Sequence, residues 1–228
     1  MLPQITRGRI ADDIYQVLRR NILQQKLEAG QRLQVDDLAD QLDVSRTPVR
    51  EALNRLAAEE LVEIVPRSGT YVAQPTAEDI DEIFDLRTAL EGLAVEQVAA
   101  AAPNAEEVQA LRDLLDWSSG PDEDEIIQHA EANRAFHERL VELTGNEKLM
   151  QIYRMLNAHA TMALVHYSTA GGQERWDVER EEHEAILAAL ADGDPAAARR
   201  AMERHLERSR TSLIDDVERQ ETDPESAE

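Results

Sequence analysis

The chain has 228 residues, a formal net charge of -23, 42% hydrophobic and only 4% aromatic residues. That length fits one large domain or two small ones with a real core, and the wealth of Ala, Leu, Glu and Arg predicts mainly helix. The lack of cysteine excludes a disulfide framework and any thiolate metal site. No apolar run nears the ~18 residues a membrane span needs, and MLPQITRGRI has no signal-like apolar stretch, so a cytoplasmic protein with no membrane partner is expected.

The charge is unevenly spread. Residues 1–73 carry 10 Lys/Arg and 11 Asp/Glu, whereas residues 74–228 carry 14 and 36. An acidic second part would repel DNA from everywhere except an intended face. In chain order, Arg9 to Leu27 has a helical period, with Ile14, Val17 and Leu18 on one face. LEAGQRL follows, with Gly30 as its turn. A short helix is expected from about Val35 to Leu42, with Leu38, Ala39 and Leu42 inward, and Asp43-Val44 make the next turn. Ser45 suits the N-cap of a second helix, and Pro48 is tolerated in the first turn. That helix buries Val49, Ala52, Leu53 and Leu56. The period then changes, and Leu61–Ala73 reads as two short strands joined at Pro66–Gly69. Helix, helix, turn, helix and hairpin make a winged helix-turn-helix over residues 1–74. Residues 75–79 read as a linker, with Thr76 capping the helix beyond it.

From Ala77 onward only helical patterning is visible. Breaks at Ala102-Pro103-Asn104, Ser118–Pro121, Thr144-Gly145-Asn146, Gly171-Gly172 and Gly193–Pro195 divide it into about six helices. Residues 80–216 are expected to form an all-α effector-binding and dimerisation domain, and 217–228 a disordered acidic tail.

DVSRTPVREALNRL, Asp43 to Leu56, places three arginines on one helix of an acidic protein. With the apolar stripe inward, Arg46, Thr47, Arg50 and Asn54 lie outside. An α-helix fits the major groove, where Arg can donate two hydrogen bonds to guanine. Ser45 and Thr47 stand at the helix N-terminus, where free N–H groups favour phosphate. Arg67, Ser68 and Gly69 form a small basic wing tip that suits the minor groove. Taken alone, a three-arginine helix is more often a solvated face; the ordered helix-turn-helix and wing reverse that weighting.

VSRTPVREALNRLAAEELVEIVPRSGTYV, with LEAGQRL before it, resembles the DNA-binding domain of the GntR family of bacterial transcription regulators over roughly residues 5–73. The resemblance implies that Arg46, Thr47, Arg50 and Gly69 occupy DNA-contact positions. Two departures stand out. Asp36 lies where some members carry a basic phosphate contact, and Asp43 replaces a common turn glycine, which Asp tolerates.

Three stretches of the helical part carry histidines: NRAFH, EEHEAIL and MERHL. With the helices around them they resemble the FCD effector domain of the FadR-like GntR subfamily over about residues 78–215. Its motif is an acidic or amide residue four before a histidine, then two later histidines. The resemblance thus implies a metal held by Asn133, His137, His183 and His205. Positions i and i+4 share a helix face, the short ADGDPAAA connection makes the other two helices neighbours, and a bundle centre can gather such ligands. Neutral imidazoles suit a divalent first-row metal, Zn²⁺ or Ni²⁺ first among them. Asn133 is a weaker, neutral ligand where many relatives have Asp, so the site would keep its full charge for an anion. His129, one turn earlier, could assist or be exposed; His159 and His166 support no argument.

Effectors of the subfamily are often small carboxylates. Arg87 interrupts the apolar face of Ile83, Leu90 and Ala94, and reads equally as a carboxylate clamp or as an ion pair with a nearby Glu. The leading expectation is a ligand-responsive regulator, commonly a repressor, that binds a palindromic operator as a homodimer. A second keeps DNA binding with a structural or signalling metal and no small effector. A third, a His-liganded metal hydrolase, would need a general base. Glu138, Glu182 and Glu184 lie beside ligands in sequence, but neighbours on a helix point elsewhere, and no HExxH is present.

Overall fold

A computed structural model describes residues 8–24, 26–115, 123–156 and 172–222. The chain divides into two compact units, Met1–Gln74 and Pro75–Glu228.

The first unit opens with α1, Gly8–Leu23, shorter than expected at its C-terminal end, then β1, Arg32–Leu33, α2, Val35–Gln41, and α3, Arg46–Ala58. β2, Val62–Val65, and β3, Gly69–Val72, complete it. The apolar period of α3 falls inward as expected: Val49, Ala52, Leu53 and Leu56 are all buried. They pack with Ile14, Leu18 and Ile22 of α1 and Leu38 and Ala39 of α2, each large side chain contributing about 1.5–3 kcal/mol by leaving water. Val17, expected on that face, is 44% exposed. Asp43 adopts φ 51 at the α2–α3 turn, the left-handed geometry that Asp tolerates. The hairpin is part of a three-stranded antiparallel sheet in the order β1-β3-β2. The edge strand β1, with Arg32 opposite Tyr71 and Leu33 opposite Thr70, was not legible as a strand; two residues are too few for a period of two to show.

The second unit is helical throughout its described residues. α4, Ala77–Ala100, begins at a capping box in which the Thr76 hydroxyl accepts from the Asp79 N–H and the Asp79 carboxylate accepts from the Thr76 N–H. Asn104 and Glu107 form a second such box at the start of α5, Ala105–Asp113. These are the reciprocal N-terminal locks that helices use to satisfy free N–H groups. α6 spans Glu123–Leu143, and α7 covers 147–156 as far as it is described. α8, Gly172–Ala191, and α9, Pro195–Thr222, form an antiparallel hairpin turned at Gly193 with φ 62. The expected breaks at 118–121 and at Gly171 lie outside the described residues, as do His159 and His166.

The main core gathers Ile80, Phe84, Val95 and Val98 of α4 with Leu111, Phe136 and Leu140, and with Ile186, Leu190, Met202, Leu206 and Leu213 of the hairpin. A smaller cluster joins Ala94 to Val141, Leu149 and Tyr153. The disordered tail expected from residue 217 needs correction: α9 is helical to Thr222 and Val217 is buried in the core. The polar composition of that stretch hid one apolar residue at the helical period.

Candidate nucleic-acid interface and metal centre

In the first unit, α3 turns Arg46, Thr47, Arg50 and Asn54 to solvent, and Ser45 precedes them at the N-cap. The Ser45 backbone is extended, but its hydroxyl makes no capping bond, so the hydroxyl and the first-turn N–H groups share one exposed end. Arg55 departs from the other two arginines. It pairs with Asp12 of α1 and lies 4.1 Å over the Tyr15 ring, so it fastens α3 to α1 instead of joining the reading face. Tyr15 donates to Glu59 at 2.6 Å in the same seam.

The wing tip is built by side chains as well as by its turn. Arg67 is exposed at φ 67. Arg32 donates to the Ser68 carbonyl at 3.0 Å, and the Ser68 and Tyr71 hydroxyls share a 2.7 Å hydrogen bond. Gly69 sits at φ 155, with Arg32 Nε 3.0 Å from where a Cβ would stand. Arg32 and Tyr71 thus hold the tip, a role the sequence pattern did not disclose because β1 itself was not recognised.

In the second unit, three helices deliver three imidazoles to one point. α6 supplies His137, α8 His183 and α9 His205; all are buried, with ligand atoms within 4.8 Å of one another. His137 and His205 stack at 5.1 Å, and their Nε2 atoms stand 3.2 Å apart. Asn133, one turn before His137 and also buried, presents Oδ1 to His183 Nε2 at 3.1 Å.

The far side of each ring settles its proton. His137 Nδ1 meets the Glu91 carboxylate at 2.5 Å, His183 Nδ1 the Glu179 carbonyl at 2.9 Å, and His205 Nδ1 the Glu182 carboxylate at 2.9 Å. Each partner accepts, so each Nδ1 donates, and a neutral ring then turns its Nε2 lone pair inward. This is the outer shell that fixes tautomer and orientation in metal-ligating histidines. Burial, with neighbouring imidazoles adding to it, holds His183 and His205 well below the ordinary imidazole range, so both stay neutral. Phe136 stands edge-on to His137 and His183 at 5.3 and 4.8 Å and lines one side with apolar surface. Two nitrogen ligands of a tetrahedral Zn²⁺ stand about 3.3 Å apart, close to the His137–His205 separation. The residues fit a divalent first-row metal.

Arg87 makes the ion pair that was one of its two readings. It is buried on α4, and its Nε donates to Glu91 at 2.7 Å. Burial alone would raise the Glu91 carboxyl, but Arg87 and His137 hold it down at about 2. Glu91 therefore links Arg87 to His137. Tyr153 is wholly buried, with its hydroxyl beside the Arg87 guanidinium. His129 Nε2 stands 3.1 Å from the Glu179 carboxylate and is not one of the three clustered imidazoles.

Sequence reasoning missed the outer carboxylates. Glu182 does turn from His183, its neighbour in sequence, but it reaches His205 on the adjacent helix. A signal existed for Glu91: it follows Arg87 by four positions on the otherwise apolar face of Ile80, Phe84 and Val95. A charged pair buried at that spacing marks a polar network inside the bundle.

Residues 82–208 match the FCD domain, and residues 10–72 match the bacterial regulatory proteins of the gntR family. The chain is 30% identical to the HTH-type transcriptional regulator YdhC of Bacillus subtilis strain 168, itself described as uncharacterized, over 84% of this chain and 85% of that protein. It is 25% identical to the HTH-type transcriptional repressor RspR of Escherichia coli K12, over 87% and 86% of the two chains. Among solved structures, a structural-genomics protein of Rhodococcus sp. RHA1 titled as a transcriptional regulator GntR superposes with a TM-score of 0.77 at 25% identity, covering 90% of this chain and 97% of that one.

Proposed function

Since the chain belongs to the GntR family of bacterial transcription regulators and carries an FCD domain behind its winged helix, we propose that it binds a palindromic operator as a homodimer and is switched by a small carboxylate at a His-held divalent metal. The family and its relatives are regulators and not enzymes, and the hydrolase alternative ends there. RspR is named a repressor, and repression is the sign we assign to this chain.

The observation that carries the effector reading is the set of three inward Nε2 lone pairs, each fixed by an acceptor on its Nδ1. His137, His183 and His205, with Asn133 as a neutral fourth donor, would hold Zn²⁺ or Ni²⁺; the metal supplies a Lewis-acidic point at which a carboxylate can be held. A neutral ligand set leaves the ion's charge unbalanced, and this favours an anionic partner. Arg87 lies behind the trio, and its Nη groups are the part of the guanidinium not committed to Glu91 through Nε. They and the Tyr153 hydroxyl suit the far end of an acid with a second polar group. On the DNA side, Ser45, Arg46, Thr47, Arg50 and Asn54 would meet the major groove, and Arg67 and Gly69 the minor groove. Contacts from α3 and the wing in each protomer suit two half-sites about one helical turn apart.

The alternative of a metal-only signal is separated by one experiment: a thermal-shift screen of small carboxylates on metal-loaded and chelator-stripped protein. One acid should stabilise the loaded form and lose its effect on stripping. If metal alone stabilises and no acid adds to it, the metal-responsive reading replaces this one. If neither acts, the effector site at the three histidines is wrong.

A further inference from the structure

Arg46, the first residue of the reading helix, does not stand free. Its Nε lies 2.7 Å from Oδ1 of Asp36 on α2, and the two side chains are 65% and 60% exposed. Among the described residues Arg46 has no other ion pair or hydrogen bond. An exposed pair of this kind adds little stability, because water and salt screen it. Its consequence is orientation. A free arginine loses much rotamer freedom when it docks on a base, and a fixed one loses less. The closest approach of the pair is through the inner nitrogen, Nε, whereas an end-on contact to guanine O6 and N7 uses the two Nη groups. Asp36 itself is acidic on the face that meets a polyanion. Unpaired, it would only repel phosphate; paired, it costs general affinity while steering one arginine.

We propose that Asp36 is a specificity-determining residue: it holds the Arg46 guanidinium for a base edge and keeps it from settling on phosphate. The neighbouring arginine of α3, Arg50, has no such carboxylate among the described residues and remains available for backbone contact. This inference rests on the reading that α3 enters the major groove of an operator.

The test uses the full chain and DNA selected by it from a randomised duplex library. Arg46→Ala identifies the base pair whose preference Arg46 supports. Affinities are then measured for the selected duplex, for the same duplex changed at that pair, and for a scrambled duplex, with wild type, Asp36→Ala and Asp36→Asn. Asp36→Ala should reduce discrimination at that pair at least fivefold, while binding to scrambled DNA tightens and log K falls more steeply with log salt, by about one in slope. Asp36→Asn keeps an oxygen to accept from Nε, so it should retain the discrimination yet show the tighter scrambled binding. Both side chains are exposed, and unchanged melting curves confirm that the variants fold. Undiminished discrimination in Asp36→Ala overturns the proposal, as does an Asp36→Asn variant no more selective than Asp36→Ala. An Arg46→Ala variant with no altered base preference also overturns it. A wild-type selection that enriches no sequence overturns the operator reading beneath it instead.

Discussion

His137 and His205 face one another through Nε2 atoms 3.2 Å apart, and the Nδ1 of each ring turns away to a carboxylate, Glu91 and Glu182, so two neutral rings bring two lone pairs together. Two lone pairs that close repel unless a positive charge lies between them. Metal loading should therefore stabilise the helical unit. At a free metal concentration a hundred times the dissociation constant the gain is about 2.7 kcal/mol, or roughly 5–10 °C for a unit of this size. Differential scanning calorimetry of loaded and stripped protein measures it, and identical melts would remove the metal from the account.

Glu182→Ala takes the acceptor from His205 Nδ1 without touching a ligand. Metal affinity should fall about 10- to 100-fold, the usual loss when an outer-shell partner of a ligating histidine is removed. Glu182 also holds Arg208 at 2.8 Å, but that pair is part-exposed, so the stripped protein should lose only the roughly 1–3 kcal/mol of leaving the buried His205 Nδ1 unsatisfied. Competition against a chromophoric chelator gives the affinity; a variant that binds as tightly as wild type would show that the Glu182 contact is idle.

Asn133→Asp tests the neutral ligand. A carboxylate at the same place adds a charge beside His183 and should tighten metal binding by at least tenfold, while lowering the ion's attraction for an added acid. Calorimetric titrations with metal, then with the acid found in the screen, read the two effects separately. Tighter metal with unchanged acid binding would mean that the ion's net charge does not govern the effector.

Glu91→Gln should be the most destabilising of these changes. It leaves Arg87 buried without its counter-ion, a situation that costs about 3–5 kcal/mol, and it leaves one amide oxygen where Arg87 and His137 Nδ1 each had an acceptor. Arg87→Met/Glu91→Gln together should recover most of that stability, because the uncompensated charge is gone. Urea unfolding of the three proteins decides it; equal losses in the single and double variants would exclude the buried charge as the cause.

The winged unit carries an alkaline switch in its stability. Burial, and then Glu59 as acceptor and neighbour, push Tyr15 up to about 12, whereas an unfolded tyrosine ionises near 10. The folded value is raised, so this contribution is complete below pH 10 and is lost as pH climbs through 12. Tyr15→Phe should lower the unit's stability at neutral pH and flatten its decline between pH 10 and 12. Thermal melts followed across that range would show parallel curves if Tyr15 had no part in it.

Much of this architecture could be read from the sequence. The apolar spacing of α3, the left-handed Asp43 and the Thr76 cap each come from a local rule that tertiary contacts do not override. The cluster of His137, His183 and His205 came from resemblance; period alone placed each on a helix but could not say that three helices turn them to one point. What stayed hidden depends on neighbours distant in the chain. Glu182 serves a histidine 23 positions away, Arg55 is drawn off by Asp12, and Asp36 meets Arg46 only once α2 folds over α3. β1 exists because β3 offers it a ladder, and a two-residue strand has no pattern of its own.

α4 starts at residue 77, immediately beyond the boundary between the two units, and runs without interruption past Arg87 and Glu91. The fifteen residues from Ala77 to Glu91 make a rod about 22 Å long. It contains neither proline nor a break at which to bend, and it is locked at its near end by Thr76 and Asp79. A rod of that kind converts a small rotation about its distal half into a sideways throw at its tip, much as a tiller does. Whatever tightens or loosens the hold on Glu91 acts on the same unbroken helix that Thr76 and Asp79 cap.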